Sequence, residues 1–155
     1  MIAVPVLPAI PAAMPEMVEL RRQIHANPEL GYEEFSTGDL VEERLTRWGY
    51  AVHRGLGGTG VVGTLKAGTG ARRLGLRADM DALPVTETPG LPYASRNPGR
   101  MHACGHDGHT ATLLAVAQGA TATATASPVR GRAVWCTTLV TISTTTFCPP
   151  QRVFW

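Results

Sequence analysis

The sequence has no marked excess of charge of either sign, because 14 Lys and Arg side chains stand against 12 Asp and Glu side chains, for a formal net charge of +2. This small excess gives no support for nucleic acid or an anionic membrane as a partner. The sequence also has no apolar run near the roughly 20 residues that a transmembrane helix needs. We therefore expect no nucleic acid and no membrane among its partners.

Cysteines are few and odd in number: Cys104, Cys136 and Cys148. An odd number cannot be fully paired, so a disulfide framework is disfavoured and a reducing, cytoplasmic compartment is expected. Residues 1–15 are apolar, but they lack the basic segment of a signal peptide and contain four prolines. We interpret them as a flexible lead-in.

The length of 155 residues suits one domain or a piece of a larger one. Residues 16–26 predict a short amphipathic helix, with an apolar face formed by Met17, Leu20 and Ile24. A second helix is predicted from Ser36, where Ser36 and Asp39 resemble a capping box, to a stop at Gly49. Its apolar stripe comprises Leu40, Val41, Leu45 and Trp48.

Three β-rich segments follow the helices: "YAVHR", "GVVGTLKA" and "ARRLGLRAD". The glycine-rich residues 55–60 lack the following helix and the lysine of a phosphate-binding loop, so they predict a hairpin turn. Prolines and glycines in residues 80–108 indicate a long loop, and a helix is predicted over 109–118. Helices followed by strands predict an α/β fold.

The composition changes abruptly after residue 118. Residues 119–155 contain nine threonines and three arginines but no Asp, Glu, Lys or His. Within this tail, "AVWCTTLVTIS" is compatible with a strand, although no amphipathic pattern like that of the preceding residues continues. We interpret 119–155 as a divergent tail, and translation in a shifted reading frame is our hypothesis for its origin.

The segment "MHACGHDGHT", residues 101–110, is rich in metal-binding side chains. Cys104 and His106 supply a thiolate and an imidazole, the ligand types that zinc and related divalent metals prefer, on either side of a glycine. Close to them lie three further candidates for a ligand or for a residue that holds one: His102, Asp107 and His109. The alternative is a polar loop whose histidines bond to the backbone.

Asp79 and Asp81 follow the third β-rich segment in "RADMDALP". Alternate residues at a strand end point the same way, so both carboxylates could bind a metal or hold a ligating histidine. The alternative is a pair of turn-forming aspartates. Elsewhere, His25 is interpreted as a hydrogen-bonding group at a helix end, and Glu33 and Glu34 as solvated or capping residues.

Three segments, "LRRQIHANPELGYEE", "LRADMDALPVTE" and "MHACGHDGHTA", in this order, resemble the amidohydrolases of metallopeptidase family twenty. This family includes hippurate hydrolases, N-acyl-amino-acid hydrolases and plant auxin-conjugate hydrolases. The resemblance covers residues 16–118. It implies part of an aminopeptidase-like α/β/α catalytic domain, without most of its C-terminal half and without the inserted domain that family members often use to dimerise.

The resemblance also implies roles for individual residues. Cys104 and His106 match metal ligands, and Asp81 matches the aspartate that orients the site. Asp79 stands where related subfamilies place a histidine ligand. The implied cofactor is a divalent metal (Zn, Mn, Co or Ni), two per site, and the implied substrate is a small N-acyl amino acid whose amide is attacked by metal-activated water.

The family pattern also includes a later pair of glutamates, one of them the general base, and two later histidines. This sequence has no Asp or Glu after Asp107 and no His after His109. Two hypotheses follow. The first is an amidohydrolase that is truncated and impaired, and the second is a non-catalytic remnant that at most binds a divalent metal weakly.

Overall fold

The computed structural model of the protein describes residues 9–66, 73–88, 90–126 and 137–142. Their elements, in chain order, are α1 (Ala9–Ala26), α2 (Phe35–Arg47), β1 (Ala51–Leu56), β2 (Gly60–Lys66), β3 (Arg73–Ala78), α3 (His106–Ala126) and β4 (Thr137–Ile142). The strands form one sheet in the order β1-β2-β4-β3. The β3–β4 pair is parallel and the other two pairs are antiparallel. These elements form the α/β fold that the sequence predicts.

Helix α1 begins earlier than predicted, because part of the expected lead-in, from Ala9 to Pro15, is helical. Pro11 lies in the first turn, where no backbone N–H donor is needed, and only Pro15 removes a hydrogen bond inside the helix. The predicted apolar face is confirmed, since Met17, Leu20 and Ile24 are buried. Packing of this face therefore outweighs the cost of one internal proline.

Helix α2 has the predicted buried stripe, with Val41 and Leu45 fully buried, but not the predicted capping box. The carboxylate of Glu29 takes that role instead. It accepts hydrogen bonds from the backbone N–H of Ser36 and of Thr37, at 3.0 and 2.8 Å, and from the Thr37 hydroxyl at 2.8 Å. An acceptor from the preceding loop thus satisfies the free donors of the first turn.

Strands β1 and β2 form the predicted hairpin, in which Leu56 pairs with Gly60 around a three-residue turn. Gly57 and Gly58 adopt φ of 65° and 109°, which side chains other than glycine disfavour. At Gly60, a Cβ atom would lie 2.4 Å from the carbonyl oxygen of Leu56. Glycine is therefore required by this turn and its close backbone approach.

The core lies where the three helices meet β2 and β3. Its largest fully buried apolar side chains are Leu45, Met80, Leu114, Val41 and Val61. The Tyr50 hydroxyl donates a 3.0 Å hydrogen bond to the Ala117 carbonyl oxygen and so joins the end of α2 to α3. Met80, the second residue after β3, lies between Asp79 and Asp81, so its burial fixes the backbone that carries both aspartates.

Helix α3 starts at His106, three residues before the predicted start, and continues to Ala126. Part of the predicted tail thus extends this helix. Another part, β4, lies within the segment judged compatible with a strand and occupies the position between β2 and β3. The rest of 127–155 lies outside the described residues. Within the described part of the chain, no helix combines the length and apolar character needed to cross a bilayer.

Replacing Glu29 by Ala should lower the free energy of unfolding by about 1 kcal/mol, because the first turn of α2 loses its acceptor. Urea denaturation followed by circular dichroism measures this change. Glu19→Ala, at an exposed position of α1, is the matched control and should change stability little. Equal stability of the two variants would show that Glu29 does not cap α2.

Candidate metal site

Cys104 and His106 lie where the long loop enters α3. Gly105, between them, has φ of 79°, and its N–H donates to the His102 carbonyl oxygen at 3.2 Å. The Gly105 carbonyl oxygen in turn accepts hydrogen bonds from the N–H groups of Gly108 and His109. The loop therefore turns tightly at Gly105, which leaves Cys104 exposed and makes His106 the first residue of the helix.

His106 is held by Asp81. Its Nδ1 atom lies 3.0 Å from the Asp81 carboxylate oxygen Oδ1 and 3.0 Å from the Asp81 carbonyl oxygen. Both partners are acceptors, so Nδ1 is the donor, and the neutral form of the ring has its lone pair on Nε2. No hydrogen bond to Nε2 occurs among the described residues. A histidine held at one nitrogen by a carboxylate, with the other nitrogen free, is the usual arrangement of a metal ligand.

Asp79 has different partners from Asp81. Its carboxylate accepts a 2.8 Å hydrogen bond from Arg77, and its carbonyl oxygen accepts one of 3.1 Å from the Thr110 hydroxyl. The two aspartates therefore bind different groups and do not share a target. Of the two, Asp81 is the one in contact with a candidate ligand.

His109 is exposed, and its ring centroid lies 5.7 Å from that of His106. His102 is buried, and neither of its ring nitrogens has a hydrogen-bond partner. Burial lowers the pKa of His102 to about 4, so this ring is neutral near pH 7. Among the described residues, no three His, Cys, Asp or Glu side chains converge as a group that could hold a metal.

Asp107 is fully buried and is bound by two side chains of α1. Its Oδ2 atom lies 2.8 Å from His25 Nδ1 and accepts a 3.0 Å bond from Arg21 Nε. Burial alone would raise the pKa of this carboxyl, but the bonds from His25 and Gly108 and the charge of Arg21 together lower it. Asp107 is thus an ionised anchor between α1 and the start of α3.

His25 also contacts Glu87 in the long loop, with 3.2 Å between Nε2 and Oε1. The other Glu87 oxygen accepts a 2.6 Å bond from the Ser95 N–H, and this bond is the main reason that the pKa of Glu87 is lowered. The prediction that His25 is a hydrogen-bonding group agrees with these contacts. However, its partners come from two distant segments and not from its own helix end.

Glu34 differs from the expectation of a solvated or capping residue. It stands at the N-cap position of α2 without capping it, and its side chain is fully buried. Its Oε2 accepts a 2.6 Å bond from the Thr59 hydroxyl, while Oε1 has no partner. Burial raises the pKa of Glu34, with a smaller contribution from the charge of Asp81. Glu33, in contrast, is exposed and forms a 3.0 Å ion pair with Arg100.

Sequence reasoning did not identify Glu29 or Glu87 as partners of other elements. No signal in the sequence marks either one, because each binds a segment that folding brings close. For His25 a signal existed: the residue follows Ile24 on the buried side of α1, where a polar side chain needs a polar partner.

Comparison with known proteins gives consistent matches. Residues 75–136 match peptidase family M20/M25/M40. The hippurate hydrolase of Campylobacter jejuni is 51% identical over 112 residues, which are 72% of this chain and 29% of that protein. An IAA-amino acid hydrolase of Arabidopsis thaliana is 50% identical over 103 residues, 66% of this chain and 23% of that protein. The chain thus spans about a quarter of the length of these relatives.

Solved structures show the same relationship. An aminohydrolase from methicillin-resistant Staphylococcus aureus matches with a TM-score of 0.78 and 33% identity, over 91% of this chain and 36% of that one. A dinuclear metal-binding peptidase of family M20 from Bacillus subtilis matches with a TM-score of 0.71 and 30% identity, over 85% and 34%. These matches confirm the predicted fold class, of which this chain supplies a part.

The raised pKa of Glu34 predicts a pH dependence of stability. Because the folded state binds the proton more tightly than the unfolded state, stability is full below the unfolded pKa of about 4.5 and falls as the pH rises through the folded pKa. Glu34→Gln keeps an acceptor for Thr59 but has no charge to bury, so its stability relative to wild type should increase with pH above 4.5. Urea denaturation from pH 4 to 8 gives the free energy of unfolding of both proteins. A constant difference between wild type and Glu34→Gln over this range would contradict the assignment.

Proposed function

Because this chain belongs to peptidase family M20/M25/M40, we propose that it carries part of a metal-dependent amidohydrolase site in which Cys104 and His106 bind a divalent metal. The observation that carries the proposal is the bond of His106 Nδ1 to Asp81, which leaves Nε2 as the ring nitrogen available to a metal. Cys104 is exposed two residues earlier and is free to bind the same or a neighbouring ion.

The donor set fits most of the metals that the resemblance implies. A thiolate and a neutral imidazole suit zinc, cobalt and nickel, whereas manganese, magnesium and calcium prefer oxygen ligands. The Bacillus subtilis relative is described as dinuclear, and we propose two metal ions for the complete site here as well. Exposed His109, beside His106, is the further imidazole best placed to approach such an ion.

A divalent metal bound there supplies Lewis-acid polarisation of an amide carbonyl and of a water molecule. Other residues of this chain orient the two proposed metal ligands. Asp81 fixes the tautomer and orientation of His106, and the positive φ of Gly105 sets Cys104 and His106 on one tight turn. Asp107, bound through Oδ2 by Arg21 and His25, anchors the first turn of α3 to α1.

We propose an N-acyl amino acid as the substrate of the complete site. Support comes from the relatives named hippurate hydrolase and IAA-amino acid hydrolase, which match this chain at 51% and 50% identity. Both names describe hydrolysis of an amide between an acyl group and an amino acid. The described part of this chain contributes metal-site residues to that reaction.

A second candidate function is metal binding without catalysis. It is favoured by the residue inventory, because the 155 residues contain no Asp or Glu after Asp107 and no His after His109. These residues therefore contain no carboxylate after Asp107 that could act as the general base, and amide hydrolysis would be impaired. Bound metal without release of amino acid from N-benzoylglycine or N-acetyl amino acids would favour this second function. Turnover that depends on Cys104 would favour the first.

Cys104→Ser should abolish the thiolate-to-metal absorption band of the cobalt-loaded protein, because the hydroxyl is a far weaker ligand than the thiolate. Cobalt(II) titration followed by absorption spectroscopy measures the band. Cys148→Ser removes a thiol outside the described residues and should leave the band unchanged. Loss of the band only in Cys148→Ser would place the site elsewhere.

Asp81→Ala should weaken cobalt affinity by about tenfold, because His106 loses the carboxylate that holds it but keeps the backbone carbonyl. Asp79→Ala is the matched control, since it removes a carboxylate two residues away that binds Arg77. Isothermal titration calorimetry gives both dissociation constants. Equal losses in the two variants would refute a specific role for Asp81.

A further inference from the structure

We propose that His25 is a positioning residue that clamps the metal loop, residues 102–106, by joining the start of α3 to the long loop through its two ring nitrogens. This inference rests on the proposed metal site. Its basis is that Nδ1 lies 2.8 Å from Asp107 and Nε2 lies 3.2 Å from Glu87, with all three side chains almost fully buried. The two carboxylates are 20 residues apart in sequence and meet on one imidazole.

The first arm of the clamp reaches the helix that begins with His106. Asp107 lies in the first turn of α3, where a negative side chain interacts favourably with the helix dipole. Its Oδ2 atom lies within hydrogen-bond distance of both His25 and Arg21, so two contacts link α1 to this turn. Because Asp107 directly follows His106, fixing Asp107 also restricts the backbone of His106.

The second arm reaches the loop that delivers Cys104. Glu87 accepts the Ser95 N–H at 2.6 Å and thus closes a turn within the loop. Leu83 and Met101 pair through hydrogen bonds of 2.9 and 3.0 Å, so the segment between them is tied at its base. Met101 directly precedes the metal loop. His25 therefore restrains residues 102–106 from both ends.

Histidine suits this position better than any other polar side chain of its size. The two ring nitrogens of an imidazole point in nearly opposite directions, so one ring can contact both carboxylates at once. A glutamine amide has both donors on one nitrogen, so it could satisfy only one of the two carboxylates in this geometry. The ring also packs edge-on against Tyr93, with 5.6 Å between centroids.

Amide hydrogen exchange of the metal-free, full-length protein tests the clamp directly. His25→Gln should speed exchange in residues 101–110 by about tenfold or more, since the restraint on both ends is lost. Exchange in α2 and in the β1–β2 hairpin should match wild type. His53→Gln, which removes an exposed imidazole on β1, is the control and should leave all segments unchanged. A uniform increase in His25→Gln would mean a general stability role and would overturn the proposal.

Cobalt binding tests the consequence for the site. His25→Gln should weaken affinity by about tenfold, and the losses in His25→Gln and Glu87→Gln should not add in the double variant, because both break one network. Wild-type affinity in His25→Gln would overturn the clamp. If wild type itself binds no cobalt, the proposed function fails, and the exchange experiment alone decides whether His25 restrains the loop.

Discussion

The hydrogen bonds from His106 to Asp81 join the start of α3 to the chain that leaves β3, and the candidate site depends on this link. A ligand histidine must present one nitrogen in a fixed direction, which free rotation of the side chain would prevent. The carbonyl oxygen and the carboxylate oxygen Oδ1 of Asp81 both bind Nδ1 of His106 and so restrict rotation of its ring. The burial of Met80 between the aspartates holds the backbone of Asp81 still, so the orientation of His106 is set ultimately by the hydrophobic core.

Next to this link, three buried side chains and one exposed arginine form a network: His25, Glu87 and Asp107 with Arg21. Buried ion pairs rarely add much net stability, because the cost of desolvating charges offsets their attraction. Removing one member of such a network is nevertheless costly, since a buried charge is left without a partner. The network is therefore better explained as specifying how α1, the long loop and α3 fit together.

Periodicity in the sequence predicted α1 and α2 with their buried faces, and glycines predicted the end of α2 and the β1–β2 hairpin, because these features depend on neighbouring residues. The first turn of α2 was predicted wrongly. A local capping box was expected, but Glu29 from the preceding loop provides the acceptor. Likewise, the pairing of His25 with Asp107 links residues 82 apart, and no local pattern encodes such a contact.

The tail after residue 118 contributes structure near the site although it has no acidic or histidine side chain. Strand β4 lies between β2 and β3 and pairs with β3 up to Ala78, the residue before Asp79. The backbone that carries the aspartates is therefore supported by β4. Zinc sites use at least three protein ligands, and the proposed ligands, Cys104 and His106, are two. A complete site thus needs a further ligand, while the orientation of His106 depends only on contacts already formed within the described residues.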